Sequence, residues 1–398
     1  MGMYLTKEQE RILDGEEGEI PRRMMRLLVR LGEIYGADRM IPVGSVQVAG
    51  VSYKSIGDPG LDFLESIAAA GARVKVPTTL NPPGMDLQDW RDLGFPEDFA
   101  EKQLRIIEAF RRMGVMMTAT CTPYLVGNLP LFGEHIAWSE SSAVSFANSV
   151  IGARTNREGG PSALAAAICG LTPNYGLHLD ENRQPTVIVE VKAELVDVAD
   201  FGALGYHVGK IVRDGVPYFR GIGRPSVDRL KALGAAMAAS GAVALYHVEG
   251  VTPEARLVRT DGLERVEVGD EEIRRVYESF RAAEEPDIVI LGCPHASLME
   301  VAEVAEMLRG KRLRKPLWVC TSRAVKDAAA RMGYVETIER AGGRVVADTC
   351  AVVAPIERMG FGTTAVNSGK AANYLPGFCK QRVIFARTED LVRMVAEG

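Results

Sequence analysis

The C-terminal part of the chain repeats one pattern of apolar and polar positions. A short apolar run rich in β-branched residues is followed by a small or polar segment, and then by apolar residues at helical spacing. The strands predicted in this way are 287–291, 317–320, 344–347 and 363–366, and the helices are 297–308 and 325–332. Strands that alternate with helices indicate a parallel sheet, so the pattern predicts an α/β fold.

Polar residues follow each of these predicted strands. Parallel sheets bind ligands where the carboxyl ends of the strands meet the following loops. The residues expected along that edge are Cys293, Ser322, Cys350, Ser368 and Lys370. The pattern therefore predicts a site at the carboxyl edge of the C-terminal sheet.

The N-terminal half predicts a further set of helices and strands. Thr6 begins a capping-box pattern for a helix that ends near Gly15. The other predicted helices are 21–35, 61–70 and 99–113, and strands are expected within 40–51 and at 73–77 and 115–118. Two of the loops after these strands could present groups to a ligand, through Gly50 and Ser52 and through Asn81. Each loop taken alone is more often a plain connection.

A predicted helix begins beside a cluster of polar residues, Ser139, Glu140, Ser141 and Ser142. Free backbone N–H groups and hydroxyls at a helix start suit an anion, although Ser139 and Ser142 could equally be caps. The following glycine-rich loop adds Arg154 and Arg157. A guanidinium group such as that of Arg157 can bind a carboxylate or phosphate in a way that lysine cannot.

The middle of the chain is rich in glycine. It predicts strands and turns at 186–198 and 201–211, helices at 230–240 and 271–284, and a strand at 243–248. His247 in that strand is expected to be a structural residue. Gly221 and Gly223 do not form a dinucleotide-binding motif, because no strand-to-helix unit surrounds them.

Composition narrows the class of protein. A chain of 398 residues with 47% hydrophobic content can bury cores in two or three domains. The net charge of −5 does not favour nucleic acid as a partner, no apolar run approaches the ~20 residues that span a membrane, and no signal peptide is visible. We therefore expect a cytoplasmic protein. Residues 1–6 formally fit a myristoylation pattern, which is too short to be specific.

The six cysteines divide by their positions. The three assigned to packing are Cys169, Cys320 and Cys379. The other three, Cys121, Cys293 and Cys350, each lie where a predicted strand opens into a polar turn. Their spacing matches neither a zinc knuckle nor a ferredoxin, so spacing alone is only a weak metal signal.

Several motifs in one order resemble the aconitase X family over nearly the whole chain. They are Ala-Thr-Cys-Thr-Pro-Tyr-Leu at 119–125, Glu-Ser-Ser-Ala-Val-Ser-Phe-Ala-Asn-Ser at 140–149, Gly-Ala-Arg-Thr-Asn-Arg at 152–157, Leu-Gly-Cys-Pro-His at 291–295, Asp-Thr-Cys at 348–350, Asn-Ser-Gly-Lys at 367–370 and Tyr-Leu-Pro-Gly at 374–377. The resemblance implies an aconitase-superfamily fold of several α/β domains with mainly parallel sheets. Residues 1–285 would hold two interleaved domains and residues 286–398 a flavodoxin-like third domain, with the active site in a cleft between domains.

The resemblance also implies the site residues. Cys121, Cys293 and Cys350 would bind an iron–sulfur cluster, most readily 4Fe-4S, with 2Fe-2S or 3Fe-4S possible. The residues implied at the substrate site are Gly50, Val51, Ser52, Asn81, Pro82, Glu140, Ser141 and Lys370; the chemistry of their side chains adds Arg154 and Arg157. The catalytic base would be a serine on a second subunit, so this chain would supply none.

The family implies a hydro-lyase, with two candidate substrates. In archaeal members divided into a large and a small swivelling subunit, the reaction converts (R)-5-phosphomevalonate to trans-anhydromevalonate 5-phosphate, in a mevalonate route to isoprenoids. Bacterial relatives dehydrate cis-3-hydroxy-L-proline. A chain that ends at Gly398 resembles the large subunit, which favours the phosphorylated hydroxy acid and a heterodimer. Two interpretations from other classes stay open, a cluster-free binding or regulatory protein and a zinc protein.

Overall fold

The computed structural model describes residues 3–397, so the first two residues of the myristoylation pattern, Met1 and Gly2, lie outside it. The described residues form three parallel sheets and one antiparallel pair of strands, with helices packed around them. The predicted α/β class with mainly parallel sheets is confirmed. No helix within residues 3–397 is long and apolar enough to cross a membrane.

The N-terminal region contains a three-stranded parallel sheet. Its helices are α1 (Lys7–Asp14), α2 (Glu19–Tyr35), α3 (Tyr53–Ala69), α4 (Glu97–Arg112), α5 (Ser141–Phe146), which continues as a π-helix (Ala147–Ile151), and α6 (Gly160–Cys169). Its strands are β1 (Met40–Pro42), β2 (Val46–Val48), β3 (Thr78–Leu80), β4 (Ala137–Trp138) and β5 (Leu171–Pro173). β2 lies between β3 and β4, and β1 pairs with β5. The predicted capping box at Thr6 is present.

The strand predicted at 73–77 is wrong. These residues alternate between polar and apolar, as an edge strand does. However, the backbone N–H groups of Val74 and Lys75 donate to the carbonyl oxygens of Met113 and Ala167, at 3.0 and 2.8 Å. These acceptors lie at the ends of α4 and α6, so the segment is bonded to helix ends and the strand begins only at residue 78.

The strand predicted at 115–118 is also wrong. Only Met116 pairs with the sheet, through an isolated bridge to Thr79. The Thr118 hydroxyl accepts from the backbone N–H of Leu80 at 3.1 Å and lies 3.2 Å from its carbonyl oxygen. The Thr118 side chain therefore makes the hydrogen bonds to Leu80 that the backbone of a neighbouring strand would make.

The middle region has a second parallel sheet in the order β8-β7-β6-β9. Its elements are β6 (Val187–Val191), α7 (Val198–Val212), β7 (Pro217–Arg220), α8 (Val227–Gly241), β8 (His247–Val248), β9 (Arg265–Val268) and α9 (Asp270–Ser279). The strands and turns predicted at 201–211 are wrong, because this segment is helical. Its glycines permit close helix packing: a Cβ at Gly205 would lie 2.3 Å from the carbonyl oxygen of Leu233 on α8.

The C-terminal region confirms the predicted parallel sheet. Its elements are β10 (Ile288–Ala296), α10 (Leu298–Leu308), β11 (Leu317–Thr321), α11 (Arg323–Arg331), α12 (Tyr334–Arg340), β12 (Arg344–Ala347), β13 (Thr363–Val366), α13 (Gly369–Cys379), β14 (Arg382–Phe385) and α14 (Thr388–Val395). The strand order is β12-β11-β10-β13-β14, and every pair is parallel. The loops after β12, β11, β10 and β13 are therefore neighbours at one edge.

Candidate active site

Cys293 lies on a bulge of the central strand β10. Pairing with β11 stops at Leu291 and resumes only at Ala296, so the residues between them loop out at the carboxyl edge. Gly292 has φ +88°, and a Cβ there would lie 2.0 Å from the carbonyl oxygen of Cys320. Only glycine fits this position, and the bulge turns the following cysteine toward the edge.

Cys350 follows β12 on a loop that buried charges fix in place. Asp348 has φ +62°, which is uncommon for a residue other than glycine, and its carboxylate accepts from Arg323 Nη2 at 2.7 Å. The same nitrogen donates to Asp86 Oδ1 at 2.5 Å, and Asp86 Oδ2 accepts from the backbone N–H of Ala347 at 2.9 Å. Burial raises the pKa of Asp348 although Arg323 acts against it. The N-terminal region thus supplies a carboxylate that orients this cysteine loop.

Cys121 lies at the carboxyl edge of the N-terminal sheet. The preceding residue, Thr120, donates its backbone N–H to the carbonyl oxygen of Leu80 at 3.0 Å. Gln47, fully buried in β2, donates through Nε2 to the carbonyl oxygen of Thr120 at 3.2 Å. Its Oε1 accepts from the backbone N–H of Glu140 at 3.3 Å. Gln47 therefore joins the Cys121 loop to the start of α5.

Gly50, Val51 and Ser52 form the loop between β2 and α3. The backbone N–H groups of these three residues donate to no acceptor within residues 3–397. The Ser52 hydroxyl donates to the carbonyl oxygen of Val353 at 2.8 Å, which joins this loop to the turn after β12. Gln103 donates through Nε2 to the carbonyl oxygen of Val51 at 2.9 Å and so fixes the loop.

Asn81 and Pro82 follow β3 and lie next to the Cys350 loop. The backbone N–H of Cys350 donates to the carbonyl oxygen of Pro83 at 3.0 Å. The Asn81 Oδ1 lies 3.5 Å from Gln47 Nε2, and its Nδ2 has no acceptor within the described part of the chain. The Asn81 amide is therefore held from one side and can still donate.

Lys370 and Glu140 form a buried ion pair between the two edges. Lys370 Nζ bonds to Glu140 Oε1 and lies 3.2 Å from Ser142 Oγ, while Ser141 Oγ lies 3.5 Å from Glu140 Oε1. Burial alone would lower the pKa of Lys370 and raise that of Glu140. Their mutual attraction and hydrogen bond, together with the thiols near Lys370 and the Ser142 and Ala143 donors to Glu140, outweigh burial, so the pKa of Lys370 is raised and that of Glu140 is lowered. Both groups stay charged at neutral pH.

The three thiols lie close enough to influence one another. Loss of hydration raises the pKa of Cys121, Cys293 and Cys350, to about 12 for Cys293, and Lys370 lowers the pKa of each. Charge on Cys350 raises the pKa of the other two. Burial, followed by charge on these three thiols, raises the pKa of Cys320, but Cys320 lies inside β11 and is 1% exposed. The structure thus gathers three thiols, a buried one at Cys121 and half-buried ones at Cys293 and Cys350, near one ammonium group.

This donor set fits an iron–sulfur cluster, whose usual ligands are cysteine thiolates. The buried Tyr124 hydroxyl has no hydrogen-bond partner within residues 3–397; burial, followed by the nearby Cys121, raises its pKa. A buried hydroxyl oxygen without a partner suits the lining of a binding site. No three His, Cys, Asp or Glu side chains in this range surround a single-ion position.

Arg154 and Arg157 bond elsewhere. Arg154 donates to the carbonyl oxygen of His178 at 3.1 Å and pairs with Asp180. Arg157 is exposed and donates to the carbonyl oxygen of Ala242 at 3.2 Å. Among the described residues, neither arginine bonds to the thiols or to the buried ion pair.

The two serines predicted at the C-terminal edge are helix caps. Ser322 accepts from the backbone N–H of Val325 at 3.2 Å and Ser368 from that of Ala371 at 3.1 Å. The Ser368 hydroxyl also acts on Cys293 and lowers its pKa. Ser368 therefore touches the candidate site, whereas Ser322 stabilises a neighbouring helix.

Sequence reasoning missed several polar residues that organise the site, namely the buried Gln47, Asp86 and Gln103 and the half-buried Arg323. Gln47 carried a local signal, because it is a polar residue between two valines of a buried strand. The partners of the others are distant in the chain, so nothing next to them in the sequence marks their role.

Three family models match consecutive parts of the chain. The model described as "Aconitase X first domain" matches residues 2–181, "Aconitase X second domain" matches 185–278 and "Aconitase X third domain" matches 286–397.

Full-length relatives and a solved structure are similar to the chain. "Phosphomevalonate dehydratase large subunit" of Methanocaldococcus jannaschii is 59% identical, over 98% of this chain and 100% of the relative. "Cis-3-hydroxy-L-proline dehydratase" of Pseudomonas aeruginosa is 37% identical, over 100% of this chain and 70% of the relative. The structure named "Crystal structure of Thermococcus kodakaraensis aconitase X (holo-form)" is 54% identical with a TM-score of 0.94, covering 99% of this chain and 100% of that one.

Proposed function

Because the chain belongs to the aconitase X family, we propose that it is the large subunit of a hydro-lyase that acts on (R)-5-phosphomevalonate. The product would be trans-anhydromevalonate 5-phosphate, an intermediate of the archaeal mevalonate route to isoprenoids. The proposed partner is a small swivelling-domain subunit that forms a heterodimer with this chain in the cytoplasm. The observation that carries the proposal is the 59% identity, over a relative's whole length, to a protein named as that large subunit.

Cys121, Cys293 and Cys350 are the proposed ligands of an iron–sulfur cluster, with 4Fe-4S as the favoured type. Three thiolates leave one iron of such a cluster without a protein ligand, and that iron supplies Lewis acidity toward a substrate hydroxyl. The chain's own contribution is to bring three distant loops together. Lys370 adds a positive charge that lowers the thiol pKa values and so favours the thiolate form.

The loop after β2 is the proposed site for the substrate's phosphate or carboxylate oxygens. The N–H groups of Gly50, Val51 and Ser52 are free within the described residues and precede the first turn of α3, which a kink at Gly57 separates from the rest of that helix; successive free N–H groups of this kind can bind an anion. The Asn81 amide can donate to the same molecule from the next loop, and Pro82 keeps that loop stiff.

Glu140, Ser141 and Lys370 are proposed to orient the substrate and not to take its proton. Lys370 with a raised pKa stays protonated, and Glu140 with a lowered pKa is a weak base. From the family resemblance, the base that removes the proton beside the leaving hydroxyl is proposed to be a serine of the small subunit. Arg154 and Arg157 are not part of the proposal, because their hydrogen bonds lie elsewhere.

The test is turnover by the anaerobically reconstituted two-subunit complex. We expect dehydration of (R)-5-phosphomevalonate, followed by NMR of the product, and no reaction of cis-3-hydroxy-L-proline. The large subunit alone should be inactive. Turnover of only the imino acid would overturn the substrate assignment, and a colourless protein with stoichiometric zinc would overturn the cluster.

A further inference from the structure

We propose that His295 is a positioning residue that joins the loops of all three cysteines and so pre-forms the cluster site. This inference rests on the proposed function, because it assumes that the thiols bind a cluster. His295 follows Cys293 by two positions and is 1% exposed. No other side chain in the described range bonds to the loops of both remaining cysteines.

The contacts of His295 reach both neighbouring loops. Its backbone N–H donates to Cys121 Sγ, with 3.2 Å between the nitrogen and the sulfur. Its Nδ1 lies 2.9 Å from the hydroxyl of Thr120, the residue before that cysteine. Its Nε2 lies 2.9 Å from the carbonyl oxygen of Thr349, the residue before Cys350.

The donor and acceptor in each hydrogen bond of the His295 ring can be assigned. The Thr349 carbonyl can only accept, so Nε2 carries the proton and the neutral ring leaves Nδ1 as an acceptor. The Thr120 hydroxyl must then donate to Nδ1, and its oxygen is free to accept from the Thr122 hydroxyl at 3.0 Å and from the Thr122 N–H at 3.2 Å. Every polar atom has one defined role, which fixes the ring and the two loops in a single arrangement.

The backbone of the loop is held from the opposite side as well. Lys231 on α8 donates through Nζ to the carbonyl oxygen of His295 at 3.2 Å. Lys231 is 3% exposed, and its charge is balanced by Asp228 and Glu300. Because both the side chain and the carbonyl are bonded, the imidazole cannot turn away without breaking buried contacts.

The chain offers a matched control in His247. It is also fully buried, and its Nε2 lies 2.8 Å from the carbonyl oxygen of Arg183. Its side chain bonds to no cysteine loop within residues 3–397. Replacing either histidine removes a buried bond to a carbonyl oxygen, but only the replacement at 295 releases the cysteine loops.

The experiment compares His295→Leu, His295→Gln and His247→Leu in the anaerobic two-subunit complex. Iron release to a chelator is followed by the loss of visible absorbance, and cobalt binding to the cluster-free protein is followed by its thiolate bands. Partners that orient metal ligands typically contribute ten- to hundred-fold in metal affinity. We therefore expect His295→Leu to release iron about ten-fold faster or more and to bind cobalt correspondingly weakly, with His247→Leu close to wild type.

Two further variants keep the proposal falsifiable if His295→Leu does not fold. His295→Gln can still donate to the Thr349 carbonyl and should restore part of the loss. Thr120→Val keeps the imidazole but removes the bond to Nδ1, together with the two contacts of the Thr120 hydroxyl to Thr122, and should release iron several-fold faster. Release rates equal to wild type in the folded variants at 295 and 120 would overturn the positioning role while leaving the proposed function intact. A wild-type complex that takes up no cluster would refute both.

Discussion

The two sheet edges that meet at the proposed site are built differently. At the C-terminal edge, β10, β11, β12 and β13 are four to nine residues long, and their parallel order alone makes the cysteine and lysine loops neighbours. At the N-terminal edge, β2, β3 and β4 have only two or three residues each. There the loops are held by buried side chains, above all Gln47 and Gln103. Backbone register therefore places the C-terminal loops, with Asp86 and Arg323 fixing the Cys350 loop, whereas the N-terminal loops depend mainly on single side chains.

The first prediction asks whether both edges bind the cluster. Cys350→Ala at the C-terminal edge and Cys121→Ala at the N-terminal edge should each abolish turnover and lower iron content, since both remove a thiolate ligand. The control is Cys169→Ala, a buried thiol at the end of α6 that should cost stability at most. Full turnover by Cys121→Ala with iron retained would show that the C-terminal edge is sufficient.

The second prediction concerns the ion pair that crosses the two edges. Lys370→Met leaves the Glu140 carboxylate buried without its cation, and breaking such a pair costs about 3–5 kcal/mol. The double variant with Glu140→Gln should lose less, because no unpaired charge remains. Equal losses in the single and double variants would show that packing, and not charge, explains the effect.

The same pair predicts opposite pH dependences of stability. In the wild type the pKa of Glu140 is lowered, so its ionised form stabilises the fold above its ordinary pKa of 4.5, and this contribution is lost as the pH falls through the lowered value. Without Lys370, burial raises the pKa of Glu140, so Lys370→Met should lose stability as the pH rises. Denaturant unfolding at about pH 5 and about pH 8 measures the loss in the variant, and unfolding of the wild type at about pH 5 and about pH 3 measures the opposite change.

The third prediction compares two buried glutamines. Gln47→Leu leaves the carbonyl oxygen of Thr120 and the N–H of Glu140 without partners and should cost about 2–4 kcal/mol, with a large rise in KM. Gln381→Leu breaks three comparable bonds in the C-terminal region, to Phe361, Cys379 and Thr364, and should cost similar stability with KM unchanged. A similar rise in KM in both variants would mean that general destabilisation explains it.

The difference between the two sheet edges also explains which features could be predicted from the sequence. The C-terminal strands are apolar and separated by helical patterns. The strand ends predicted from this pattern therefore placed Cys293, Cys350 and Lys370 correctly at one edge of the sheet. The N-terminal strands were misplaced at 73–77 and 115–118, because helix ends and the Thr118 side chain take hydrogen bonds that local patterns assign to a sheet.

The position of the middle-region helix was missed for a related reason. Glycines at 205 and 209 indicate turns in isolation, but here they allow α7 to approach α8. Likewise, the roles of Gln103 and Arg323 depend on partners far away in the chain, which local patterns do not contain. Local periodicity therefore predicts backbone edges well and side-chain networks poorly.

The smallest predicted effect tests one hydrogen bond between the edges. Ser52→Ala removes the bond to the carbonyl oxygen of Val353 and the cap at the start of α3, which should cost about 1–2 kcal/mol. Because the bond crosses the edges, hydrogen exchange should quicken about five-fold or more in the 3-10 turn Ala351–Val353, on the far side of the contact. Ser66→Ala, whose hydroxyl bonds only within α3 to Phe63, should leave that turn unchanged. If Ser52→Ala destabilises the protein without quickening exchange in the turn, its hydroxyl acts only as a cap, and the Cys350 loop is held by the charges of Asp86 and Arg323 instead.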